Sequence, residues 1–312
     1  MLGSDRRFPS LFLSVAVAIA AAPVDAPSLA RTPSAVRKPP AQPSCDEATY
    51  ASQAASLPKF HAEHDGATFD YVVLQGDLIL TREEAIAFLK QSCLGAQETR
   101  RQPALSKQMG AAELNFATSS TGAAEIWPRT RRSLSYAVDR SSFASPAAYQ
   151  QVVTLMAAAT KDWVDACPEC GFSFEHRSAL DGGRARIATG LPGPGEVTFI
   201  VRYLPAETEF IAASFFPNDP VYKRNLYIAP TFFTSSFASV GVLRHELGHI
   251  IGYRHEHLGV AGCPLEDTRN WRSVAGYTAN SVMHYLCGKG GTRTLDIVAQ
   301  DKLQHRMHYG IL

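Results

Sequence analysis

The run His245-Glu246-Leu247-Gly248-His249-Ile250-Ile251-Gly252-Tyr253-Arg254-His255 sets three imidazoles, one acidic side chain and two further glycines within eleven residues. On a helix, positions four apart lie one above the other, so His245 and His249 can each aim a ring nitrogen at one metal ion, with Glu246 beside them. A third ligand six residues past His249 requires the chain to turn back, and Gly252 accepts the left-handed geometry that ends such a helix. An ion held by His245, His249 and His255 keeps a position open for water and lowers the pKa of that water toward about 7. Glu246 is then the base in reach. The helix is predicted over Ser239 to Gly252, with Leu243, Leu247 and Ile250 on one face and the histidines on the other. An amphipathic helix that happens to carry histidines accounts for HExxH alone, but not for its continuation through Gly252 and His255.

Further along stands Ser281-Val282-Met283-His284-Tyr285. HExxHxxGxxH followed by SxMHY resembles the metzincin clan of zinc proteases, and within it the astacin-like branch. The resemblance implies an α+β catalytic domain: a twisted, mostly parallel sheet with an antiparallel edge strand, an active-site helix and a Met-turn. It also implies one catalytic Zn2+ held by His245, His249 and His255, with Glu246 as general base and acid. By the same resemblance Met283 forms an apolar floor beneath the metal, Tyr285 stabilises the oxyanion, and Glu256 pairs with the buried amino terminus of the mature enzyme. The similarity is tight from Val240 to His255 and from Ser281 to Tyr285. It departs after Glu256, where His257-Leu258-Gly259-Val260 replace the Arg and Asp residues expected. His257 reads as solvated or as a neighbour of the ligands. A gluzincin would draw its third ligand from a later glutamate, and Glu266-Asp267 lies at a suitable distance, but His255 and the Met-turn argue against it.

Met1 to Ala22 places Arg6 and Arg7 before an apolar run, the layout of a secretory signal peptide. The run is shorter than the roughly 20 residues that span a bilayer, so no membrane span is expected in the mature chain. The predicted organisation is a signal peptide over 1–30, a Pro-rich linker over 31–44, a pro-region over 45–118 and a catalytic domain over 119–312. The protein is expected to be secreted or periplasmic, a monomer, and to take a polypeptide substrate. Lys plus Arg number 30 against 29 Asp plus Glu, with no basic block, which excludes a nucleic-acid partner from the expectation. Six cysteines in an exported chain favour disulfides, paired Cys45 with Cys93, Cys167 with Cys170 and Cys263 with Cys287.

In the pro-region, Phe69 to Leu80 reads as a strand pair, and Thr81-Arg82-Glu83-Glu84 opens a helix with a capping box. Between them, Leu74-Gln75-Gly76-Asp77 resembles the FxGD element of astacin propeptides, with Leu74 in place of the phenylalanine. The resemblance implies that Asp77 reaches the zinc and blocks it; a Gly-Asp turn between strands explains the same residues. In the catalytic region, strands are predicted at Leu134 to Val138, Phe172 to Phe174, Val197 to Tyr203, Ile211 to Pro217 (an edge strand) and Asn225 to Ala229. Ser145-Pro146 caps a helix buried through Tyr149, Val152, Val153, Met156, Thr160 and Trp163. A last helix covers Asp296 to Tyr309, its His305 and His308 exposed or structural. The expected function is a secreted zinc endopeptidase that cuts internal bonds of extended polypeptides and is made as a latent zymogen. The alternative is a catalytically inactive secreted zinc-binding module for a protein or cell-wall partner.

Overall fold

The structure is a computed structural model that describes residues 45–64, 67–74, 76–101, 115–117, 125–205, 210–258, 260–263, 271–273 and 277–310. The signal peptide, the linker, the boundary between 118 and 119, and Glu266-Asp267 lie outside the described residues. In chain order the elements are α1 (Glu47–Ser56), β1 (Lys59–His64), β2 (Ala67–Leu74), β3 (Leu78–Leu80), α2 (Arg82–Arg101), β4 (Asn115–Ala117), β5 (Ser133–Val138) and α3 (Pro146–Ala166). There follow β6 (Ser173–His176), β7 (Arg186–Ile187), β8 (Glu196–Val197), β9 (Phe199–Tyr203), β10 (Ala212–Ala213), β11 (Asn225–Ile228), α4 (Ser239–Ile250), β12 (Trp271–Ser273) and α5 (Ala299–Tyr309).

The architecture is mixed α/β. A five-stranded sheet runs in the order β10-β11-β9-β5-β6; its strands are parallel except β10, which lies antiparallel to β11 at one edge. Helix α3 begins where Ser145 accepts a hydrogen bond from Ala148 N at 3.2 Å, with Pro146 in the first turn. It buries Tyr149, Val152, Met156, Ala159, Thr160, Trp163 and Ala166 against the sheet and α4, which contributes Val242, Leu243, Leu247 and Ile250 to the same core. Val153 is only half-buried.

Several elements are shorter than the sequence predicts. The stretch Val197 to Tyr203 divides at Thr198, whose hydroxyl accepts from Ser135 N at 3.1 Å, and Val197 pairs with Ile187 in a separate two-stranded sheet. The edge strand narrows to Ala212–Ala213 because the next residues bond elsewhere: the Ser214 hydroxyl donates to Glu246 O at 3.0 Å and Phe216 N to the Asp219 carboxylate at 2.7 Å. Strand β4 pairs antiparallel with β12.

The amino-terminal portion forms its own antiparallel sheet, β1-β2-β3, with α1 and α2. The capping box expected at α2 is present: Glu84 N donates to Thr81 Oγ1 at 3.2 Å and Thr81 N to Glu84 Oε2 at 2.7 Å. Alternate residues of a strand face opposite sides. Thus Val72 packs with Ala54 and Ala85 on the helices, while Tyr71 and Val73, with Phe60 and Ile79, pack on Phe210, Ala213, Tyr227 and Ala229 of the larger sheet. The three disulfides pair as expected: Cys45–Cys93, Cys167–Cys170 and Cys263–Cys287. Among the described residues no helix is long and apolar enough to cross a membrane.

On α5, His305 is fully buried and shares a 2.6 Å hydrogen bond with Tyr253, which makes it structural, not exposed. Burial pushes His305 down to about 3 from an ordinary 6.5, and His308 down to about 4. Below pH 6.5 the unfolded chain therefore binds more protons than the folded one, and stability falls as pH is lowered toward the folded values. His305→Phe should cost about 1 kcal/mol at neutral pH through the lost hydrogen bond. It should nevertheless lose less Tm than the parent between pH 7 and pH 4, measured with chelator present. Equal losses would reject this account.

Candidate metal centre

Helix α4 carries His245 and His249 one turn apart and buries the opposite face in the core. It ends at Ile250, two residues earlier than predicted, and Gly252 takes φ +106°. A Cβ at Gly252 would lie 2.6 Å from Glu125 O, so the turn demands glycine for space as well as for backbone angle. Carbonyls left free at the helix end are met from outside the helix: Trp127 Nε1 donates to Ile250 O at 2.7 Å, the Tyr309 hydroxyl to Ile251 O, and Ala117 N to Gly252 O at 2.9 Å. The turn so held brings the His255 ring within 4.8 Å of His249 and 5.2 Å of His245, centroid to centroid.

His245 Nδ1 donates to Val282 O and His249 Nδ1 to Tyr253 O, both at 2.7 Å. In a neutral ring that leaves Nε2 as a bare acceptor. The Nε2 atoms of His245, His249 and His255 stand 3.2, 3.4 and 2.9 Å from one oxygen of Asp77, which is 4 % exposed. Acceptors facing a carboxylate at such distances require positive charge between them. Ligand atoms bound tetrahedrally at about 2.0–2.1 Å would stand about 3.3 Å apart, close to the separations seen. The buried cluster Asp77, His245, His249 and His255 can therefore hold a metal ion. Burial pushes His249 down to about 4, so it is neutral and ready to coordinate at pH 7. Burial alone would raise Asp77, but positive charge at His255 and contact with the three imidazoles hold it well below the usual carboxylate range.

Around the cluster, Glu246 is 2 % exposed, and burial together with the Asp77 charge raises its carboxyl well above the ordinary range. The Tyr285 ring lies 4.3 Å from His255 and 5.6 Å from His245. Met283 is fully buried, and its sulfur meets Gly248 between the two helix histidines. Glu256 accepts from Thr278 N at 2.7 Å, and its own N donates to Met283 O. His257 is buried, not solvated: it stacks 4.9 Å from His255 and accepts from Tyr285 N at 3.3 Å. A further group, His257, His284 and Cys287, has its sulfur committed to Cys263.

A cavity of about 410 Å³ opens beside the cluster, lined by Asp77, His245, Glu246 and Tyr285 and by apolar walls from Phe210, Ile211, Phe237, Val242 and Leu295. Sequence reasoning missed Asp301, whose carboxylate accepts from Val298 N at the start of α5 and from Val282 N, both at 3.0 Å. An acid three residues into a helix signals a cap, but not the second contact. No protein-family model matches the chain, and no curated protein matches it.

The full chain should bind one divalent ion. At a free concentration 100 times Kd, binding should add about 2.7 kcal/mol of stability. His249→Ala should abolish the metal-dependent rise in Tm, and an undiminished rise in that variant would reject this cluster as the site.

Proposed function

We propose that the chain is a secreted zinc endopeptidase of the metzincin clan, astacin-like, which hydrolyses internal bonds of extended polypeptides and is made as a latent zymogen. The observation that carries this reading is the meeting of three imidazole nitrogens, drawn from HExxHxxGxxH, beside the buried Glu246 at the edge of an open cavity. Three disulfides support export.

His245, His249 and His255 would hold the ion. Bound zinc supplies Lewis-acid polarisation of the scissile carbonyl and acidifies the attacking water. Glu246 takes a proton from the water on a carboxylate oxygen and delivers it to the departing amine. Tyr285 donates its hydroxyl to the carbonyl oxygen as negative charge develops. The apolar cavity walls suit a large apolar substrate side chain. The short antiparallel strand β10 offers an edge along which an extended peptide can add.

Asp77 is the latch in this reading. Structural zinc sites are closed by four protein ligands, whereas catalytic ones keep a position open, and the Asp77 carboxylate, 2.9–3.4 Å from the three imidazoles, would serve as the fourth ligand. Its neighbour Leu78 bridges in parallel to Ser214, just past β10, so the segment also covers the edge. By the astacin resemblance, removal of the pro-region over 45–118 would free the catalytic domain over 119–312, and Glu256 would receive the new amino terminus.

The closed four-ligand set also favours a second reading, an inactive zinc-binding module, which leaves the buried Glu246 without a task. Cleavage of a denatured protein by the processed chain decides between them. Glu246→Gln and chelation should each abolish activity, and tight zinc binding without cleavage would favour the binding module. Asp77→Ala should make the unprocessed chain partly active, while a silent variant of an otherwise active enzyme would dismiss the latch. Tyr285→Phe should lower kcat about 100-fold with little change in KM; an effect confined to KM would refute its role.

A further inference from the structure

The amino-terminal module and the remainder of the chain are joined in two ways, one covalent and one not. All six cysteines are paired, Cys45–Cys93 within the module and the other two bridges beyond it, so only the chain between Arg101 and Asn115 connects the two covalently. Beyond that stretch, Ala117 already belongs with the metal centre, through Gly252 O and through the pairing of β4 with β12.

The non-covalent junction rests on aromatic packing, an ion pair and the contact at the metal centre. Phe60 packs edge-on to Tyr227 at 5.1 Å and lies 6.1 Å from Phe210, while Phe69 stacks on Tyr222 at 4.8 Å with the rings 2° from parallel. Lys223, its side chain 3 % exposed, reaches Glu84 of the module at 2.5 Å. Arg254 lies over the Phe88 ring at 5.8 Å. Asp77 adds its carboxylate to the three imidazoles. The module has an interior of its own, built from Ala54, Val72 and Ala85 with Leu57, Leu80, Ile86 and Leu89, and Cys45, just before α1, is cross-linked to Cys93 on α2.

We infer that the face formed by Phe210, Tyr222, Lys223 and Tyr227 is a docking surface whose partner, once the connection is cut, is the separated module of residues 45–101. That fragment stays bound as an inhibitory subunit, and cutting alone does not open the metal centre. Severing the connection removes the effective concentration of the tether, on the millimolar scale for a short linker. It leaves the aromatic packing, the ion pair of buried Lys223 with half-exposed Glu84 and the Asp77 contact in place. Full opening requires a second event, either a cut inside the module or its slow dissociation. The role assigned to the fragment rests on the peptidase reading; its docking does not.

The test places a specific protease site between residues 102 and 114 of the full chain and cuts the folded protein without denaturant. Size exclusion at submicromolar concentration should show both fragments co-eluting. Cleavage of a protein substrate should stay below about a tenth of the level reached once the module is digested. Phe69→Ala and Glu84→Gln should each speed release of the module at least tenfold in a dilution experiment. Phe69→Ala, which touches no helix cap, guards against misfolding of the module as the cause. Fragments that separate at once, or release rates indifferent to both substitutions, would overturn the inference. Failure of the peptidase reading would instead appear as co-eluting fragments with no activity after digestion.

Discussion

The two hydrogen bonds behind the histidines govern what the cluster can be. With Nδ1 of His245 committed to Val282 O and Nδ1 of His249 to Tyr253 O, each ring presents only a lone pair at Nε2. Without those carbonyls the rings could exchange tautomers and make hydrogen bonds among themselves. With them, these two acceptors, the His255 ring and a carboxylate meet at one point, where positive charge relieves the repulsion. Both carbonyls are themselves held from the far side. Val282 N is bonded to Asp301 at the start of α5, and the Tyr253 ring is held by His305 on α5 and stacked 5.6 Å from Trp163 on α3. The two long core helices and α5 therefore act together to orient two rings.

The amino-terminal sheet exploits that same demand for positive charge. An anionic group that approaches such a cluster is attracted whether a proton or a metal ion supplies the charge. Position is then a matter of strand alternation. Because Tyr71 and Val73 face the larger sheet while Val72 faces α1 and α2, the turn at Gly76 and Asp77 emerges over the histidines. A one-residue slip in β2 would turn its aromatic face away and withdraw the carboxylate with it.

The metal cluster was legible because its spacing is local: His245, His249 and the Gly252 turn obey helix geometry that any reader of the chain can apply. The caps at Ser145 and Thr81 are legible for the same reason, and so is the period of α3, whereas the mostly parallel sheet with one reversed edge is implied only by the resemblance. What stayed hidden depends on partners distant in the chain. Strand β1 exists because Phe60 finds Tyr71, Phe210 and Tyr227, and the burial of Lys223 makes sense only beside Glu84. For His257 the sequence leaves two places open, in solvent or beside the ligands, and the choice of the second is made by the distant Tyr285 ring that covers it. The edge strand is shorter than predicted because Phe215 and Phe216 extend the β-favouring run, while the Ser214 hydroxyl and Phe216 N are drawn to Glu246 O and Asp219.

The residues between the helix histidines carry a constraint that their own spacing does not reveal. Gly248 faces Met283, whose sulfur stands where a Cβ would be, and Trp163 closes the same point from α3 at 3.4 Å. A larger residue at 248 would push Met283 away, and Met283 adjoins Val282, whose carbonyl orients His245. The backbone there is doubly pinned, by Met283 N on Ser281 Oγ at 3.1 Å and by Glu256 N on Met283 O at 2.8 Å. Displacement of one side chain would therefore move a ligand from behind and shift the segment just after His255. The glycine in HELGH and the methionine in SVMHY are thus a single steric fit, and two motifs that look separate in the chain form one wall of the metal centre.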